Sequence, residues 1–244
     1  VAALTAEMLA RYDRPGPRYT SYPTAIEFHE EFGPKRYIEK LEEAAQRPGE
    51  PLSLYVHLPF CRERCTFCGC NVFVTQKQGV ASAYIDDLER EIEIVAKHLG
   101  KRRELVQYHW GGGTPTYLSL DEMKRVWNAL AKQFTFAPGA EIAIEVDPRV
   151  TTRRQAELLR ELGFNRISMG VQDFDEDVQD AVNRYQSFPI TKDLHLYMRD
   201  LGFESINFDF IYGLPHQTPE TFRKTIELAL ELRPDRVAIY SYAF

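Results

Sequence analysis

LGFNRISMG, residues 162–170, returns as LGFESINFD, residues 201–209. In each copy a leucine that closes a helical pattern is followed by glycine, the residue that most readily takes the left-handed conformation ending a helix. A run that reads as a strand follows directly. The chain therefore passes from helix to strand at both places, and the same alternation extends outward from them.

Toward the N-terminus the expected order is helix about 152–162, strand Glu141–Val146, helix about 120–134, strand Leu105–Trp110, helix about 80–99 and strand Leu52–Pro59. Toward the C-terminus, strand Asn165–Val171 leads to Gln172 and a helical insertion through Leu201. Strand Ser205–Ile211 then leads to YGLP, a helix opened by Thr218-Pro219 and reaching Leu232, and a sixth strand, RVAIYSYAF, at 236–244. Strand–helix alternation with short loops predicts parallel strands joined by right-handed crossovers, which leaves a barrel or an open doubly wound sheet. The polar, Gly-rich and Cys-rich segments all follow strand ends, as in barrels whose sites occupy the C-terminal face. The expected fold is α/β, a partial (βα)6 TIM-like barrel of parallel strands. Residues 1–50 are expected to form an N-terminal arm and a helix at about 34–46, and residues 51–244 the core.

A chain of 244 residues suits one large α/β domain, and 44% apolar with 12% aromatic content excludes disorder. No apolar run approaches the roughly 20 residues of a membrane span. A net charge of −6 argues against nonspecific nucleic-acid binding and requires a local basic patch for any anionic substrate. With no signal peptide, the expected location is cytoplasmic, a compartment that keeps thiols reduced. Val1 in place of Met, and an apolar run up to Phe244, suggest a sequence incomplete at both ends.

All four cysteines, Cys61, Cys65, Cys68 and Cys70, lie in YVHLPFCRERCTFCGCNV, residues 55–72, at the end of the first strand. Soft thiolates at spacings of three, two and one intervening residues let one loop wrap a polynuclear metal centre. An iron–sulfur cluster is the first reading. A structural zinc site normally draws ligand pairs from two segments, and no second pair exists here. Disulfides between residues this close seldom reach bridging geometry.

Other strand ends carry candidates of their own. Gly111, Gly112, Gly113, Thr114 and Pro115 follow the second strand, where glycine lets backbone groups approach a ligand and Thr114 adds a hydroxyl. Glu145 ends the third strand as an acceptor for hydroxyls or an ammonium group, Gln172 and Asp209 hold matching places on the fourth and fifth, and Arg184 lies in the insertion. Tyr55 and His57 share one side of the first strand; a lone strand-end histidine such as His57 is more often structural than a proton carrier. DRPGPRYTSYPTA, residues 13–25, reads as an irregular arm in which Arg14, Arg18, Tyr19 and Tyr22 could pair with carboxylates or cover a cavity.

The spacing of Cys61, Cys65 and Cys68 resembles that of the radical S-adenosylmethionine (SAM) superfamily. Three thiolates leave one iron of a [4Fe–4S] cube open to the amino and carboxylate groups of SAM. More specifically, GPRYTSYPTA (16–25), YVHLPFC (55–61) with CGCN (68–71), HWGGGTPTY (109–117), IEVDPR (144–149), NRISMGVQDF (165–174), VNR (182–184) and DFIYGLP (209–215) resemble, in order, the oxygen-independent coproporphyrinogen III oxidase family of haem biosynthesis. The resemblance implies a SAM-derived radical that removes hydrogen from a propionate β-carbon. CO₂ is then lost, so that two propionates of coproporphyrinogen III become the vinyl groups of protoporphyrinogen IX.

It further implies Cys61, Cys65 and Cys68 as cluster ligands, with Tyr55, Gly112 and Glu145 contacting the SAM bound there. Phe67, Gly113, Thr114, Gln172, Arg184, Asp209 and Ala243 would hold a second SAM. Cys70 is left as a family marker without a role. A monomer served by a low-potential electron donor of the flavodoxin type is implied as well, as is a chain ending after strand six, short of the family's C-terminal domain. The alternative from another class is a haem chaperone of the same superfamily, which generally lacks the GPRYTSYPT arm and the cysteine at the place of Cys70. A zinc-bearing structural module is the third.

Overall fold

The computed structural model describes residues 5–13, 27–77 and 79–242. The arm residues Arg14, Arg18, Tyr19 and Tyr22, and Ala243, lie outside the described residues. The elements in chain order are α1 (Ala6–Tyr12), α2 (Pro34–Ala45), β1 (Leu52–Leu58), β2 (Phe60–Cys61), β3 (Phe73–Val74), α3 (Val80–Leu99), β4 (Glu104–Gly112), α4 (Leu120–Ala131), β5 (Thr135–Val146), α5 (Arg153–Glu161), β6 (Arg166–Gln172), α6 (Glu176–Ala181), α7 (Phe188–Asp200), β7 (Ser205–Tyr212), α8 (Pro219–Leu232) and β8 (Arg236–Ser241).

Six strands form one parallel sheet in the order β1-β4-β5-β6-β7-β8. This order follows the sequence without the reversal that defines a doubly wound sheet. Successive right-handed crossovers then place the helices that join these strands on the same side, which is the wall of a partial barrel. The two quoted repeats end their helices alike. Gly163 (φ 95°) and Gly202 (φ 82°) take the left-handed conformation. Phe164 N–H reaches back to Leu159 C=O at 3.0 Å, and Phe203 N–H to Met198 C=O at 3.2 Å. Each glycine thus closes a Schellman turn and aims the chain into β6 or β7.

Alternation along the strands separates two faces. Val56 and Leu58, Tyr108 and Trp110, Ile142 and Ile144, Ile167 and Met169, and Ile206 and Phe208 are buried against the helices, packing on Ile85, Leu88, Met123, Val126, Leu159, Met198 and Ala229. Aromatic rings dominate the centre: Trp110 meets Phe164 edge-on at 5.0 Å, and Trp127 stacks on Phe136 at 5.2 Å. The opposite, concave face presents Tyr55, His57, His109, Glu145, Ser168 and Asp209. Sheets of parallel strands are usually apolar on both faces, so a polar concave face marks the side that receives a ligand.

Four local differences from the sequence reading have physical causes. β5 begins at Thr135, not Glu141, because Thr135 N–H joins Arg103 C=O at 3.0 Å and brings the segment into the sheet early. The same pairing ends α4 at Ala131, short of Phe134. The insertion is two helices, α6 and α7, broken at Val182–Ser187, where Asn183 is left-handed (φ 54°) and Pro189 opens α7. β8 ends at Ser241. The buried Arg102 is an addition: its guanidinium donates to the carbonyls of Glu50 (2.7 Å), Ala44 (3.1 Å) and Pro51 (3.1 Å), fastening the end of α2 to the start of β1.

Candidate functional site

The cysteine loop leaves β1 at the C-terminal edge of the sheet and is tied down along its length. At its base β2 and β3 pair in parallel, with Phe73 N–H donating to Pro59 C=O (2.7 Å) and Thr75 N–H to Cys61 C=O (2.9 Å). From β4, Gly113 N–H donates to Leu58 C=O (2.9 Å) and Thr114 N–H to Phe60 C=O (2.8 Å). From the end of α6, Val182 C=O accepts from Thr66 N–H (3.1 Å), and the Asn183 amide donates to Arg64 C=O (3.0 Å). Gly113 is required by contact. A Cβ there would lie 2.8 Å from the carbonyl oxygens of both Pro59 and Phe60 and 2.9 Å from Cys61 Sγ. Gly112 (φ 124°) is just as crowded, against the Leu58 backbone.

All four cysteines are free thiols. Cys61 Sγ faces Thr114 Oγ1 at 3.6 Å, and burial raises its pKa. Cys65, the most buried, receives the guanidinium of Arg184 at 3.6 Å and that of Arg149 at 3.8 Å. Cys68 lies beside the exposed Cys70: its interaction with Cys70, with Arg64 and Arg184 nearby, lowers the Cys68 thiol pKa, while the same interaction and burial raise that of Cys70.

Beside the loop runs a chain of polar contacts. Tyr55 Oη lies 3.0 Å from His57 Nδ1, and His57 Nε2 lies 2.9 Å from Asn71 C=O. A carbonyl only accepts, so Nε2 carries the proton and, in the neutral ring, Nδ1 accepts from Tyr55. Burial and the neighbouring Glu145 push Tyr55 up to about 12, so its hydroxyl stays protonated. Tyr84 Oη donates to His57 C=O at 2.6 Å. The Tyr55 ring stacks on His109 at 5.8 Å, and His109 Nε2 meets Glu145 Oε1 at 3.2 Å. Gly112 N–H donates to Glu145 Oε2 at 3.2 Å, so both carboxylate oxygens are oriented.

Across the concave face, Asp209 accepts from Ser168 Oγ and Asn207 Nδ2, each at 2.8 Å; burial nonetheless raises its pKa, and Glu145 adds to the rise. Arg184 Nη2 donates to Gly170 C=O (2.8 Å), and its buried Nε has no partner among the described residues. Gln172 adopts a left-handed conformation (φ 66°) where the register shifts beside Gly170, bringing its amide near the same arginine. Phe67 packs separately, on Val178, Val182 and Leu214.

The expected residues thus divide into three groups around one strand-end face. Tyr55, His57, Gly112, Gly113, Thr114 and Glu145 stand with the cysteines, Arg184 reaches them through Cys65, and Asp209 belongs to a neighbouring polar cluster. Sequence reasoning passed over His109, Arg149 and Asn183. Period-two alternation back from Gly111 points to His109, whereas Arg149 and Asn183 stand inside the quoted runs IEVDPR and VNR without anything in those runs to single them out. A cavity of about 930 Å³ lined by Arg62, Ser82, Ser119, Arg125 and Gln155 opens at the N-terminal ends of α3, α4 and α5 and includes none of the candidate residues.

The donor set fits a thiolate-bound iron–sulfur centre. Three soft donors project from one loop, two guanidiniums face the most buried sulfur, and a glycine backbone closes against another. Among the described residues, no three His, Cys, Asp or Glu side chains gather closely enough to hold a single ion.

The family model described as the radical SAM superfamily matches residues 55–229. The chain belongs to the radical SAM superfamily. It is 45% identical over 240 residues to the oxygen-independent coproporphyrinogen III oxidase of Pseudomonas aeruginosa, covering 98% of this chain and 52% of the relative. It is 49% identical over 236 residues to that of Escherichia coli K12, covering 97% and 51%. The solved structure of the Escherichia coli coproporphyrinogen III oxidase HemN, described as a radical SAM enzyme, superposes with a TM-score of 0.87 at 48% identity, over 96% of this chain and 52% of that one. The chain spans about half the length of the curated relatives it matches. Among more distant solved structures, native anSMEcpe with bound AdoMet superposes with a TM-score of 0.59 at 14% identity, over 79% of this chain and 52% of that one, a likeness of fold alone. Among the described residues no helix is long and apolar enough to cross a membrane.

Proposed function

We propose that this chain supplies the cluster- and SAM-binding core of an oxygen-independent coproporphyrinogen III oxidase. The observation that carries the reading is the 49% identity over 97% of the chain to a relative of that name, with Tyr55, Gly112, Glu145 and Arg184 placed about the cysteine loop. Bound there, a [4Fe–4S] cluster and SAM supply one-electron reductive cleavage and hydrogen-atom removal from a propionate β-carbon, with loss of CO₂ leaving a vinyl group.

Cys61, Cys65 and Cys68 hold the cluster and leave one iron open. Tyr55, Gly112 and Glu145 contact the SAM at that iron. Glu145, oriented by His109 and the Gly112 amide, offers a fixed acceptor to an ammonium or hydroxyl group. Arg184 has a buried Nε–H, unpartnered among the described residues, to give a carboxylate. With Phe67, Gly113, Thr114, Gln172, Asp209 and Ala243 it forms the place of a second SAM. His57 acts as a brace, donating to Asn71 C=O and holding the loop against β1. The reading includes a cytoplasmic monomer that takes electrons from a low-potential, flavodoxin-type donor and coproporphyrinogen III as substrate.

The test is anaerobic reconstitution followed by turnover with coproporphyrinogen III, SAM and a reductant. About four irons and four sulfides per chain, SAM cleavage and vinyl product are expected. SAM cleavage without vinyl product refutes the substrate, and zinc without sulfide refutes the cluster. Tight haem binding and transfer without decarboxylation would assign the chain to the chaperone class.

A further inference from the structure

Three buried charged groups meet behind Cys65. Asp147 Oδ2 accepts from Arg149 Nη2 at 2.7 Å and from Arg184 Nη1 at 3.2 Å. Arg149 Nε adds bonds of 3.0 and 3.1 Å to the two oxygens of the same carboxylate. The side chains are only 9% (Asp147), 17% (Arg149) and 8% (Arg184) exposed. One carboxylate cannot neutralise two guanidiniums, so the group keeps one positive charge out of water, and a buried charge without an anion is costly. Besides the carboxylate, both guanidiniums reach Cys65 Sγ, at 3.8 Å from Arg149 Nη2 and 3.6 Å from Arg184 Nη1. Cys61, by contrast, faces a neutral hydroxyl, that of Thr114.

We propose that Arg149 is a positioning residue that raises the reduction potential of the iron–sulfur centre by directing positive charge and an N–H donor at Cys65. The inference rests on the reading of Cys61, Cys65 and Cys68 as cluster ligands. One-electron reduction adds one negative charge to the cluster and forms no bond. Hydrogen bonds to ligand sulfur and nearby positive charge stabilise the more negative state, so they favour the reduced form. Asp147 holds Arg149 by three bonds of 2.7–3.1 Å and Arg184 by one of 3.2 Å, and both guanidiniums still extend past the carboxylate to the sulfur. Asp147 fixes the orientation of Arg149, whose planar fork spans carboxylate and sulfur together, a task for which a single ammonium is ill-shaped.

The experiment is an anaerobic redox titration, followed by electron paramagnetic resonance, of the reconstituted protein and its Arg149→Gln and Arg149→Lys variants. Iron and sulfide per chain and the melting temperature of each metal-free chain are measured alongside. The expected result is a lower midpoint potential in Arg149→Gln at unchanged iron content, with Arg149→Lys between it and the parent. Should Arg149→Gln fail to fold, a lowered midpoint in Arg149→Lys carries the inference, and an unmoved one overturns it. Melting temperatures that fall while potentials coincide with the parent also overturn it, because that is the signature of a purely structural ion pair. A parent protein that assembles no cluster overturns the ligand reading itself and this inference with it.

Discussion

Replacing Gly113 by alanine places one methyl group where three atoms already stand: two carbonyl oxygens at 2.8 Å and Cys61 Sγ at 2.9 Å. The oxygens belong to Pro59 and Phe60, backbone that cannot swing aside as a side-chain tip would. Relief requires the β4 end and the cysteine loop to move apart, against the Gly113 N–H to Leu58 C=O bond (2.9 Å) and the Thr114 N–H to Phe60 C=O bond (2.8 Å). Overpacking costs about 1–3 kcal/mol, and a lost hydrogen bond about 0.5–1.5 kcal/mol. Their sum, about 3 kcal/mol, corresponds to a fall of about 6–12 °C in melting temperature for a domain of this size. Cys61 moves with the loop, so iron retention should fall too. Gly49, with nothing within 4 Å of its added Cβ, is the control. The assay is thermal melting of the metal-free chains and iron per chain after anaerobic reconstitution, for Gly113→Ala and Gly49→Ala. If Gly113→Ala melts with the control and retains as much iron, the steric account of the GGG run is wrong.

Asp209 has a carboxyl pKa raised by burial, so its contribution to stability is full below the unfolded value near 3.8 and is lost as pH rises through the folded value. Asp209→Asn should therefore stabilise the metal-free chain at pH 7 relative to pH 4 and weaken SAM binding; a difference between parent and variant urea midpoints that is the same at pH 4 and pH 7 would contradict this. Arg102→Ala removes three charge-assisted bonds to carbonyls and should cost about 2–3 kcal/mol, with faster hydrogen exchange confined to α2 and the start of β1. Phe164→Ala opens a cavity beside Trp110 and should cost about 3–5 kcal/mol by chemical denaturation without altering the concave face.

The strand and helix order was legible because its signals are local. Gly163 and Gly202 act within their own turns, and the apolar alternation of Ile167, Met169 and Val171 is set by the pleat alone. Single-strand placement likewise made Glu145 and Asp209 visible as strand-end carboxylates. Contacts that join distant segments left no such mark. Arg102 gathers carbonyls from the far side of β1, and Arg149 acquires its meaning from a sulfur 84 residues earlier. The break between α6 and α7 was hidden for the same reason: Asn183 abandons helical geometry to hold the Arg64 carbonyl, a partner that nothing beside Asn183 in the chain announces.

That dispersal has a consequence for how the protein is made. The cysteines lie close together in one loop, but the second of the two guanidiniums that meet Cys65, that of Arg184, comes 119 residues later. At translation speeds of about 5–20 residues per second, this interval lasts about 6–24 s. Until it has passed, the growing chain carries four bare thiols without the walls that will enclose three of them. Metal supplied in that interval would meet a flexible loop, and an oxidant would meet sulfur with no shelter. The timing favours loading after the strands have closed around the loop, when the finished chain offers a shaped and positively charged recess.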